Sequence, residues 1–184
     1  IIPDHIPKYN QSVNYSVDLD CTPKDTSSII STKSHLELFH PFCEKNPVKK
    51  WPGKGAIDEL QYLNGWLFER NFLNWYENEG YDLLIGRKYG RQSYVSWRIA
   101  PTKYPTRSRI SITIYPFIFN TGSKFIQKIP FSLFVKPQLD SYLRSVLRGL
   151  QWYVINQTPI QRNHFGIHKW LSLIHISEPT RPER

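Results

Sequence analysis

Residues 136–156, KPQLDSYLRSVLRGLQWYVIN, decide how the rest of the chain must be read. Apolar residues recur at Leu139, Tyr142, Leu143, Val146, Leu147, Leu150 and Val154. Asp140, Ser141, Arg144, Ser145, Arg148 and Gln151 fill the positions between them, so the stretch is one amphipathic helix. Its apolar stripe needs a surface to lie on. Pro137 suits the first turn, where its missing N–H costs nothing, and Thr158-Pro159 prevents continuation beyond Asn156. Gly149 interrupts the pattern at a cost of roughly 1 kcal/mol against Ala, which argues for something that approaches the helix closely there.

The residues upstream read mostly as strands. Ser12 to Leu19 alternates, with Val13, Tyr15, Val17 and Leu19 on one face. Ala56 to Tyr62 and Trp66 to Tyr76 are joined through Asn64-Gly65, a pair that tolerates positive φ and so signals a hairpin. Within the second of these, Trp66, Phe68, Arg70 and Phe72 share one face, and Leu67, Glu69, Asn71, Leu73 and Trp75 the other. Tyr81 to Ile85 follows the turn at Asn78-Glu79-Gly80. Ser93 to Ile99, with Val95, Trp97 and Ile99 aligned, and Arg109 to Tyr115, with Ile110, Ile112 and Ile114 aligned, complete a meander of antiparallel strands on tight turns. Two short helical pieces precede the meander. One begins at Thr22-Pro23 and runs to about Thr32, with Thr22 as its cap; the other spans Ser34 to Phe42. Asn46 to Gly55, rich in Pro, Gly and Lys, reads as loop, and Phe117 to Val135 as an apolar connection of open form. One sheet and one long helix close a core of this size only if the sheet wraps around the helix. The expected fold is therefore α+β, a curved antiparallel sheet of about six or seven strands gripping a C-terminal helix.

Composition narrows the function classes. Hydrophobic content of 40% with 15% aromatics excludes a disordered chain. No apolar run approaches the roughly 20 residues of a membrane span. The formal charge of +9 raises nucleic acid or an anionic surface as partners. Yet the basic residues are dispersed through predicted loops, as at Lys45, Lys49, Lys50 and Lys54 or Arg87, Lys88 and Arg91, so a solvated surface without a nucleic-acid partner is expected. Cys21 and Cys43 are too few for a disulfide framework or a zinc site.

The element order, together with particular residues, carries a family resemblance. The segment containing Asn64-Gly65, Arg70, Trp75, Gly80-Tyr81-Asp82 and Ser96-Trp97-Arg98-Ile99 is similar to proteins of the START-like, SRPBCC superfamily, many of them described as polyketide cyclase/dehydrase-like. So is the end of the chain, from Tyr142-Leu143 through Gly149-Leu150 to Asn163, Phe165-Gly166 and His168. The resemblance covers about Ser12 to Trp170. It implies a helix-grip fold with a deep apolar cavity, used across the superfamily for lipids, steroids and polyketides, with a minority of members being enzymes.

On that basis the residues expected to face the cavity and touch a ligand are Trp66, Phe68, Arg70, Phe72, Trp97, Ile99, Ile112, Ile114, Leu143 and Leu147. Periodicity alone says only that they are buried, and the same side chains could fill a solid core. Arg70 is a charge on an aromatic face and needs an anionic partner, either a ligand carboxylate or phosphate or an internal carboxylate such as Asp58 or Glu59. His35 and His40 share the H-x4-H spacing of the iron ligands in Rieske-type oxygenases of the same superfamily. A facial triad also needs a carboxylate, and positions five apart lie about 140° from each other on a helix, so no metal or cofactor is expected. The functional expectation is binding of a hydrophobic or amphipathic small molecule, lipid- or polyketide-like, without chemistry of its own. An aromatase/cyclase- or dehydratase-type enzyme using the same cavity is the alternative.

The ends of the chain are read as open. It begins Ile1-Ile2 and contains no Met, and residues 1–11 read as a lead-in to a domain spanning residues 12–170. LSLIHISEPTR, residues 171–181, reads as the in-frame translation of a transposon-type sequencing-library adapter, so residues 171–184 are set apart from the fold. A cytoplasmic location is the default expectation.

Overall fold

The computed structural model describes residues 11–117 and 131–172. The lead-in before residue 11, most of the 117–135 connection and residues 173–184 lie outside them. In chain order the elements are β1 (Val13–Leu19), α1 (Pro23–Ile30), α2 (Leu36–Phe39), β2 (Cys43–Lys45), β3 (Val48–Lys50), β4 (Ile57–Tyr62), β5 (Leu67–Tyr76), β6 (Gly80–Gly86), β7 (Gln92–Pro101) and β8 (Ser108–Tyr115). A π-helical turn, Phe131–Val135, leads into α3 (Lys136–Asn156), and a short α4 (Lys169–Ser172) follows.

Strands β4 to β8 form the meander that alternation and turn chemistry dictate, and β1 returns to pair with β8, giving the order β1-β8-β7-β6-β5-β4-β2 with β3 also on β4. Every pairing is antiparallel. Among the described residues the sheet has eight strands, two more than the six legible segments, because Cys43–Lys45 and Val48–Lys50 are short edge strands against β4. The expectation that residues 46–55 are loop throughout is corrected here. Pro47 and three lysines mask the pairing in sequence, and they are the residues that suit an exposed sheet edge.

A bulge in β5 corrects a second expectation. The register against β6 shifts between Phe72 and Asn74, so one extra residue enters the strand and the alternation inverts beyond it. Trp75 consequently joins the face of Phe72 instead of opposing it. Its ring lies 5.5 Å from that of Phe72, 5.1 Å from Tyr81 and 5.2 Å from Trp51. This aromatic group fills one end of the sheet's concave side.

Helix α3 lies across that side along β1 and against α2, burying Leu139, Leu143, Val146, Leu147 and Leu150. It ends on Gln157, whose left-handed conformation (φ 54°) returns its N–H to the Tyr153 carbonyl. The Gln151 side chain donates to the Asp18 carbonyl of β1 at 3.0 Å. Gly149 marks the closest approach: a Cβ there would stand 1.9 Å from the carbonyl oxygen of Phe39 at the end of α2. Among the described residues no helix is long and apolar enough to cross a membrane.

Candidate functional site

Wrapping the sheet around α3 leaves a cavity of about 360 Å³ between them. Its wall is a band of cross-strand neighbours on the concave face: Leu60 opposite Phe68, Leu83 opposite Val95, Val95 opposite Ile114, and Trp97 opposite Ile112. Helix α3 contributes Leu139, Tyr142, Leu143 and Val146 from one stripe of its surface. Such pairs lie side by side because residues two apart on a strand share a face, and those directly opposite them on the next strand share it too.

Seven of the ten expected ligand-facing residues line this space: Trp66, Phe68, Arg70, Trp97, Ile112, Ile114 and Leu143. Phe72, Ile99 and Leu147 do not line it and pack in the solid core. Phe72 is covered by Trp51, Tyr81 and Trp75, the last of which the bulge in β5 brings onto its face. Leu147, one helical turn beyond Leu143, is fully buried. Leu171, within the segment set apart as adapter-derived, also lines the cavity, and its carbonyl accepts a hydrogen bond from the Asn64 side chain at 3.0 Å.

Two polar groups sit at the edge of this apolar space. The first centres on Arg70, which stands directly opposite Asp58 in the β4–β5 register. Its Nε donates to Asp58 at 2.7 Å, and Nη2 completes a two-pronged pair with the other carboxylate oxygen. Of the two partners left open for Arg70, the internal carboxylate is the one present. Burial works against the guanidinium's charge, and Asp58 outweighs it, so the group is held more firmly protonated than usual. Asn46 donates to the same carboxylate at 3.1 Å and to the Glu59 carbonyl at 2.7 Å. His35 completes the group. Its Nδ1 faces the Thr32 carbonyl at 3.1 Å and so carries the proton, leaving Nε2 as acceptor beside Tyr81 Oη (3.3 Å) and Arg70 Nη2 (3.4 Å). Burial and then the Arg70 charge lower its pKa well below the usual histidine value.

The second group is a row of three: His40 at the end of α2, Tyr142 on α3 and Tyr62 at the end of β4. His40 Nε2 lies 2.8 Å from Tyr142 Oη, which lies 2.9 Å from Tyr62 Oη. All three line the cavity. Burial lowers the His40 pKa to about 3 and raises that of Tyr62 to about 12. The two histidines of the H-x4-H spacing thus enter separate networks, one with Arg70 and one with the tyrosines, and among the described residues no His, Cys, Asp and Glu cluster able to hold a metal is found. Sequence reasoning did not single out this row. Tyr142 counted as an apolar member of the helix stripe, and nothing in the local pattern connects residues 40, 62 and 142.

Arg98 of β7 lies on the opposite face of the sheet and pairs with the buried Asp82 at 2.7 Å, with the Tyr76 hydroxyl donating to the same carboxylate at 3.1 Å.

No family model and no curated protein matches the sequence. Solved structures match in fold. DynU16, a protein of the dynemicin biosynthetic locus, superposes with a TM-score of 0.60 at 11% identity over 82% of this chain and 49% of its own, so the present chain spans about half of DynU16. A START superfamily protein from Mycobacterium smegmatis gives 0.58 at 13% identity over 80% of this chain and 99% of its own. Aha1 from Colwellia psychrerythraea, solved as a dimer, gives 0.58 at 10% identity over 78% and 96%.

Proposed function

We propose, from the premise that the chain has the helix-grip fold of the START-like, SRPBCC superfamily, that it binds a hydrophobic or amphipathic small molecule between the sheet and α3 and performs no chemistry on it. The observation that carries this reading is the unfilled volume of about 360 Å³, lined by Trp66, Phe68, Trp97, Ile112, Ile114 and Leu143 among others. Packed interiors leave few voids larger than a water molecule. A hollow of this size suits a drug-sized apolar ligand, for which roughly 300 Å³ is the lower bound. The START superfamily neighbour and the dynemicin-locus neighbour accord with a lipid- or polyketide-like guest.

The titratable groups favour binding over the aromatase/cyclase alternative. An acid or base working near neutral pH is tuned toward that pH. Here burial moves His40 down to about 3 and Tyr62 up to about 12, both away from it. Arg70 is committed to Asp58 and holds the wall together. Native mass spectrometry of the chain purified from several expression hosts tests the reading. A co-purified apolar molecule of a few hundred daltons is expected, and unliganded protein from every host, together with no uptake of added fatty acid or naphthalene probe, would overturn it.

A further inference from the structure

The row His40, Tyr142, Tyr62 can be counted proton by proton. One end is fixed by the backbone, because the Phe42 N–H donates to His40 Nδ1 at 3.2 Å. An amide N–H is only ever a donor, so Nδ1 is the bare nitrogen and the ring proton sits on Nε2. Nε2 therefore donates to Tyr142 Oη at 2.8 Å. Burial keeps the imidazole neutral and both phenols protonated at ordinary pH. The row thus holds three protons, one on Nε2 and one on each hydroxyl, but it contains only two contacts. If Tyr142 donates to Tyr62, the Tyr62 proton is left over. If Tyr62 donates to Tyr142, whose two lone pairs can accept both bonds, the Tyr142 proton is left over. Either way one hydroxyl hydrogen has no acceptor among the described residues, and both hydroxyls belong to side chains that line the cavity. A buried donor facing an apolar space without an acceptor is an unstable arrangement that an incoming oxygen relieves.

We infer that the ligand of this cavity carries an uncharged oxygen acceptor, a ketone or ester carbonyl on a hydrocarbon body, which takes that surplus hydroxyl hydrogen while the body lies against Trp97, Ile112 and Leu143. This rests on the binding function proposed above and specifies its guest. A carboxylate is disfavoured at this place, since a buried anion needs a cation, Arg70 is already neutralised by Asp58, and Arg91, the other guanidinium on the cavity lining, is exposed to solvent.

The test uses the full chain and two probes of one shape, 2-acetylnaphthalene with a 13C-labelled carbonyl and 2-ethylnaphthalene. In the wild type, the infrared stretch of the bound ketone is expected well below its position in hexane, as for a hydrogen-bonded carbonyl. Tyr62→Phe alone keeps that band low, because the surplus proton passes to Tyr142. Tyr62→Phe with Tyr142→Phe returns the band toward its hexane position and weakens ketone binding about tenfold, while leaving 2-ethylnaphthalene affinity within about twofold. A wild-type band at the hexane position, or unchanged ketone affinity in the double variant, would overturn the inference and leave the binding function standing. Failure of both probes to bind the wild type would instead overturn the binding function. Should the double variant not fold, the wild-type band decides the matter by itself.

Discussion

Arg70 and Asp58 show how one strand register solves the problem of a charge inside an apolar wall. The two residues face each other across β4 and β5, and both are almost wholly buried. Removing one partner strands the other, so Asp58→Ala is expected to cost about 3–5 kcal/mol in urea unfolding. Asp58→Leu combined with Arg70→Met is expected to cost clearly less than Asp58→Ala alone, because no charge is then left unpaired. The histidines set a different dependence. His35 and His40 have folded pKa values below the value near 6.5 of the unfolded chain, so the unfolded state binds more protons and stability must fall as pH falls. This contribution is fully present above pH 6.5 and is lost toward the folded values. It amounts to about 2 kcal/mol for His40 between pH 7.5 and 5, and His35 adds in the same direction. Burial lowers His168 as well, which adds in the same direction. Urea midpoints across that range check the sign, and His40→Asn should flatten the curve; a stability that rises on acidification would contradict the burial of both rings in the neutral form.

At the scale of the elements, the contact between α3 and α2 depends on one missing side chain. Ordinarily Gly→Ala inside a helix stabilises by up to about 1 kcal/mol. At Gly149 the added methyl would meet the Phe39 carbonyl, which is backbone and cannot swing aside. Gly149→Ala is therefore expected to destabilise by about 2 kcal/mol or more, measured by thermal or urea unfolding, with the helix forced outward. The close approach was legible in the sequence as an anomaly inside the 136–156 stripe, and the strands of the meander were legible from alternation and the Asn64-Gly65 turn. What was not legible was the face of Trp75 and the edge strands at residues 43–50. A bulge changes which side every later residue faces without leaving a signature of its own, and an edge strand is held by its neighbour's backbone rather than by its own pattern.

For the molecule as a whole, the consequence of the cavity is that stability should depend on its occupant. A ligand held at a hundred times its Kd adds about 2.7 kcal/mol to the folded state, which a thermal melt would register as a clear upward shift. Val95→Phe places an aromatic ring in the hollow and is expected to leave the melting temperature of the empty protein nearly unchanged while abolishing that ligand-induced shift; a persisting shift would put the guest elsewhere. By itself the sequence determined the long amphipathic helix, the meander, the need for the sheet to wrap around the helix and which side chains are covered, because each of these follows from periodicity along the chain. Only the tertiary structure decided that volume was left unfilled, that Phe72, Ile99 and Leu147 close the core instead of bordering the space, that Arg70 answers to Asp58, and that His40, Tyr62 and Tyr142 meet in one row. Periodicity says which side of an element is covered. Whether facing side chains touch, or stop short of one another, depends on distances between segments a hundred residues apart.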